Sequence, residues 1–181
     1  MKLSGEYATL SLLYRFGNVQ ANTNNDISQT YTLNFRNVLN SMYDKYDKFV
    51  IVHTSSSGWT NIPNGGYTSA GVTGMNANSG YVLGLSGLTF PFNTTLINNN
   101  DSLAIFPVKM NLGASTTAQG YFFNNYDNSN GIEFNKPYTP IVNISLSILA
   151  SRTLQPVFIN ATSGNALYFE SSFRIFGIEK D

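Results

Sequence analysis

Eight or nine short runs of β-branched and aromatic residues, each closed by a cluster of Gly, Asn, Ser, Pro or Asp, set the rhythm of this 181-residue chain. Strands that alternate with turns, rather than with long helices, pair antiparallel and pack as a sandwich or a barrel. Ile141–Ala150 (IVNISLSILA) shows the pattern most cleanly, with Ile144, Leu146 and Ile148 on one side and Asn143, Ser145 and Ser147 on the other. Residues 166–178 (ALYFESSFRIFGI) place Phe169, Ser171, Phe173, Ile175 and Gly177 on one face. Further strands are expected at 7–16, 31–39, 81–88, 120–124, 132–135 and 156–160. A strand over 103–112 carries Pro107, which confines it to an edge or a bulge. Phe49–His53 (FVIVH) is a continuous apolar run, as expected of a strand buried on both faces.

Two segments break the rhythm. Val38, Leu39, Met42, Tyr43 and Tyr46 recur at three- and four-residue spacing, which predicts a short helix over 38–47 with Asp44 placed to pair with Lys48. Residues 55–80 are rich in Gly, Ser, Asn and Thr, hold the single Trp and lack hydrophobic periodicity, which predicts a long loop used for contacts. The chain is therefore expected to be an all-β, single jelly-roll antiparallel sandwich of about eight strands with one short helix, forming one domain over 1–181. An immunoglobulin-type sandwich fits less well, because it is shorter and usually carries a Cys–Trp–Cys set.

Composition removes whole classes of function. Ten basic and ten acidic residues leave no net charge and no basic run, against binding naked nucleic acid by phosphate neutralisation. With no Cys there are no disulfides, thiolate metal sites or cysteine nucleophiles. No apolar run reaches the roughly 18 residues of a membrane span, and the Met1–Lys2 start lacks the apolar core of a signal peptide. Asn, Ser and Thr make up about a third of the chain, so the four N-x-[ST] sequons at Asn93, Asn100, Asn143 and Asn160 are about as many as chance produces.

The search for chemistry yields no catalytic residue, metal site or cofactor. His53 is the only His, and Asp44, Asp47, Ser55 and Ser56 lie near it in sequence, but it ends an apolar strand and no nucleophile elbow supports a triad. Asn98–Asp101 and Asn125–Asn128 offer oxygen ligands in turns that form for their own backbone reasons. A carboxylate pair for glycoside hydrolysis is not evident, since Glu170 is expected on the solvent face. The remaining candidates are the loop aromatics Trp59, Tyr67, Tyr121, Phe123 and Tyr126, expected at the surface as protein-interface anchors or, alternatively, as sugar-stacking platforms.

The stretch NFRNVLNSMYDKYDKFVIVH, with Phe35–Leu39 and Met42–Asp47 at its heart, resembles the strand–helix–strand of small single jelly-roll capsid proteins of large double-stranded DNA viruses and their relatives. The final strand FRIFGIEKD and the amide- and hydroxyl-rich composition are similar as well. The resemblance implies a non-enzymatic capsid component in the virion, made in the host cytoplasm. It implies a penton ahead of a minor capsid protein. Its expected partners are copies of itself in a homopentamer and a major capsid protein, without direct nucleic-acid contact. The alternative of another class is a carbohydrate-binding or receptor-binding β-sandwich, with a glycan as ligand.

Overall fold

A computed structural model describes residues 1–17, 25–60, 62, 66–69, 72–75, 81–90, 103–106, 119–124, 131–159 and 166–180. In chain order the elements are β1 (Leu3–Gly17), β2 (Asn25–Asp26), β3 (Ser28–Asn34), α1 (Phe35–Leu39), α2 (Ser41–Lys45), β4 (Lys48–Thr60), β5 (Tyr67–Ser69) and β6 (Val72–Met75). They continue with β7 (Tyr81–Ser86), β8 (Leu103–Phe106), β9 (Gln119–Asn124), β10 (Ile132–Asn135), β11 (Ile141–Ala150), β12 (Val157–Ile159) and β13 (Ala166–Ile178).

Eight of these strands carry the architecture. One sheet runs β1-β13-β4-β10, with β9 also paired to β4, and the other runs β3-β11-β7-β8. Numbered along the chain, the eight are paired first with last, second with seventh, third with sixth and fourth with fifth, all antiparallel. This is the wiring of one long hairpin folded over on itself, the jelly roll. The expected fold class is therefore observed. A small third sheet, β2-β12-β5-β6, supplements the two.

The sheets share one apolar core. Leu10, Leu12 and Tyr14 of β1, Phe169, Phe173 and Ile175 of β13, and Phe49 and Ile51 of β4 face Leu83 and Leu85 of β7, Phe106 of β8, and Ile144, Leu146 and Ile148 of β11. Aromatic pairs join neighbours both across and within the sheets. Phe106 and Phe173 meet edge to face at 5.4 Å, and Phe134 stacks on Phe49 at 5.6 Å while taking the edge of Phe35 at 6.1 Å. Each such fully buried side chain contributes about 1.5–3 kcal/mol through burial, and aromatic geometry adds to it. Where the sheets meet at β1 and β3, side chains cap the edge backbone. Tyr31 Oη donates to the Leu13 carbonyl (2.7 Å) and the Arg15 amide donates to Gln29 Oε1 (3.4 Å).

Several sequence expectations are corrected. The helical region begins at Phe35, not Val38, because Asn34 Oδ1 accepts from the Arg36 and Asn37 amides and starts a helix where strand had been expected. It is two short helices, not one, because Asn40 adopts φ 51° and ψ −127° between them, outside the helical region, so the first helix cannot run on into the second. Asp44 pairs with Arg36 at 2.9 Å, and Lys48, already in β4, pairs instead with Glu133 at 3.1 Å. The expected loop over 55–80 is in part sheet. β4 runs on to Thr60 because β13 and β9 flank it and supply backbone partners that need no hydrophobic alternation, and β5 and β6 fall in the same stretch. β8 stands at a sheet edge and its described part ends at Phe106, before Pro107.

Candidate functional site

His53 is sealed inside the sandwich. A register shift between Ser172 and Phe173 makes Thr54 an extra residue in β4, so that His53 and Ser56, three apart, both point inward. His53 Nε2 lies 2.7 Å from Ser56 Oγ, which lies 2.6 Å from Ser171 Oγ, and Phe173 and Phe106 wall the ring at 5.4 and 6.3 Å. Burial pushes the imidazole pKa down to about 4, with the Ser55 backbone pulling weakly the other way. Among the described residues Nδ1 has no hydrogen-bond partner and no carboxylate is placed to orient the ring as a catalytic base. Asp44 and Asp47 are far from this role, engaged at the surface with Arg36 and with Lys180 at 2.7 Å. The structural reading of His53 is the one the geometry supports.

The sequence-predicted aromatics divide. Trp59 is exposed to 40%, and stands opposite Tyr168 of β13 and Gly120 of β9. The Arg15 guanidinium lies 5.5 Å over the Tyr168 ring. Tyr67 is a correction. It was expected at the surface and is wholly buried, its hydroxyl 3.2 Å from Thr60 Oγ1 and its ring 6.2 Å from Tyr81, because β5 folds back onto the core. Tyr121 and Phe123 sit on β9 at the register positions of Gly58 and Ser56, but their side chains lie outside the described residues. Tyr126 and the two Asx-rich turns also lie outside them. Among the described residues no group of three or more His, Cys, Asp or Glu side chains is placed to hold a metal ion.

The end of the molecule that carries the helices holds surface features with no strong sequence signal. Ion pairs cluster there: Lys45–Glu6 (2.9 Å), Arg36–Asp44, Lys180–Asp47, Lys48–Glu133 and Lys2–Glu179. Beside them the segment Lys136–Ile141 projects a fully exposed Tyr138 and an Ile141 exposed to 59%. The only sequence hint was the bracket of Pro137 and Pro140 around Tyr138. Along the same end, β1 and the α1–α2 corner enclose a groove of about 530 Å³.

No protein-family model matches the chain, and no curated protein does. Solved structures do. The mavirus penton protein is 7% identical with a TM-score of 0.42, over 96% of this chain and 100% of that one. The decameric BFDV capsid protein is 11% identical with a TM-score of 0.30, over 98% and 100%. The VP1 pentamer protein of human polyomavirus 6 is 9% identical with a TM-score of 0.27, over 99% and 98%. These similar structures are viral capsid proteins.

Proposed function

We propose that this chain is a structural subunit of an icosahedral viral capsid and, more finely, the penton that occupies the vertices. The observation that carries the reading is jelly-roll wiring around a solid apolar core, with the one His locked inside it. A fold of this kind serves capsids, lectins and cupins. A cupin-type metal centre is disfavoured by the single, buried His. What remains for function is surface: neutral, rich in amides and hydroxyls, and suited to many wet contacts with neighbours. The proposed partners are further copies in a closed ring, by heterologous contacts, and a major capsid protein around it. The proposed location is the virion, after synthesis in the host cytoplasm, and no enzymatic role is proposed. Mass spectrometry of purified particles tests this. The chain is expected as a stoichiometric component, and its absence would contradict the proposal.

The second reading, a glycan-binding sandwich, draws on the exposed Trp59 beside Tyr168 and Arg15. Selective binding on a glycan array, lost in Trp59→Ala, would favour it over the capsid reading. The burial of Tyr67 removes one of the five aromatics that support that reading.

A further inference from the structure

Among the described residues His53 is the one buried side chain that can acquire a positive charge, and its surroundings suit only the neutral ring. A neutral imidazole has one N–H to place and a protonated one has two. Nε2 lies 2.7 Å from Ser56 Oγ, and that hydroxyl continues to Ser171 Oγ at 2.6 Å across the seam between β4 and β13. Nδ1 meets no hydrogen-bonding group among the described residues. The elements around the ring bring no anion to it either. β13 turns Ser171 and Phe173 inward, while its charged residues Glu170 and Arg174 alternate with them and stand exposed. β8 contributes Phe106 and carries no charge, and β1 places Leu10 and Leu12 opposite Phe173 and Ser171. Glu133 of β10 stands opposite Val50 and pairs with Lys48. The Ser55 backbone alone favours the charged ring, by less than burial opposes it. Protonation therefore puts an uncompensated charge and an unmet donor into the core.

The strand is held unequally on the two sides of this ring. Before it, Phe49 and Ile51 enter the core, and Val50 and Val52 are buried as well. After the bulge at Thr54 the buried side chains of β4 are the hydroxyls of Ser56 and Thr60, with Gly58 between them and Trp59 exposed to 40%. This half thus lacks the apolar burial that anchors the other. Backbone pairing to β13 and β9 holds it, together with the Ser56–Ser171 contact that begins at the His53 ring. Thr60 and Ile62, both buried, pin its far end.

We propose that His53 is an acid latch, whose protonation frees Thr54–Trp59 from β13 and loosens β9 while the sandwich around them stays folded. β9 follows because it pairs with this stretch of β4. Local opening of this kind takes the least stable stretch first, leaving the apolar half closed. The inference goes beyond the subunit reading and stands without it. In a shell, the latch would slacken one side of the sheet when the surroundings acidify.

Hydrogen exchange of the 181-residue chain at pH 7.4 and 4.5, read by mass spectrometry and corrected for intrinsic rates, is the test. With a pKa of about 4 in the closed ring and 6.5 in the open one, opening should be roughly 70-fold more favourable at the lower pH. The gain in exchange is expected in peptides covering Ser55–Trp59 and Gly120–Asn124, and not in those covering Val50–Val52 and Phe173–Gly177. His53→Phe, which takes up no proton, is expected to lose the gain. The wild type supplies a second readout, because its single His gives unambiguous ring resonances, expected to change over the same pH range as the exchange. No gain at pH 4.5, a gain spread evenly over the chain, or one that persists in His53→Phe would overturn the latch. A ring that titrates outside that range would overturn it too.

Discussion

The ring of Tyr46 fills the space where a side chain at residue 177 would stand: a Cβ built on Gly177 would overlap the Tyr46 ring carbons. This contact ties the end of the α2 segment to the last strand. Tyr46 also meets Phe49 edge to face at 6.3 Å, so the packing passes from the helix pair through Gly177 into the core. Gly177→Val is therefore expected to destabilise the fold by about 1–3 kcal/mol through overpacking. Tyr46→Ala is expected to cost about as much as other large-to-small aromatic changes, roughly 3–5 kcal/mol. Denaturant titration of the two variants and of the double variant is the measurement. Because each change relieves the clash or void made by the other, their combination is expected to cost less than the sum.

His53 makes stability depend on pH. Its pKa is near 4 in the folded protein and near 6.5 when the chain unfolds, so between these values the unfolded state binds the extra proton. Stability is then full above about pH 6.5 and falls as the pH drops toward 4, by about 3 kcal/mol in all. His53→Phe is expected to remove most of that slope while keeping the apolar contacts with Phe106 and Phe173. Melting temperatures of both proteins across pH 4–7.5 check it, and parallel curves would show that His53 is not the group responsible.

Trp59 and Tyr67, alike in sequence context, are expected to respond unequally to truncation. Tyr67→Ala should cost roughly 3–5 kcal/mol, as a buried aromatic does, whereas Trp59→Ala should cost clearly less, because 40% of its surface is already in water. Trp59 is the only Trp, so acrylamide quenching of the native protein's fluorescence reports its exposure directly. Quenching between that of a buried Trp and that of the unfolded chain is the expected result.

How much of this was legible in the sequence depended on whether a residue's own pattern or its neighbours' set its environment. Ile141–Ala150 and Ala166–Ile178 were read with the bounds the structure has, because each alternates between a core and an outer face. Phe49–His53 was read as buried on both faces and is. Beyond His53 the strand continues through Thr54–Thr60, where hydroxyls face inward only because the bulge at Thr54 turns Ser56 onto Ser171. No periodicity announces a bulge. Tyr67 was misplaced for a similar reason: its Gly- and Asn-rich surroundings suggest a surface loop, while pairing of β5 with β12 carries it into the core. The exposure of Tyr138 has no signature in the sequence, because an isolated aromatic between prolines looks the same whether it is packed or bare.

The central claim, a capsid subunit that closes a ring with its own copies, is tested most directly by the native mass of the purified 181-residue chain. Five copies of a 19.9 kDa chain give about 100 kDa. Native mass spectrometry is expected to show that pentamer, or larger assemblies built from it. A wild-type protein that remains at 19.9 kDa at every concentration would contradict the account.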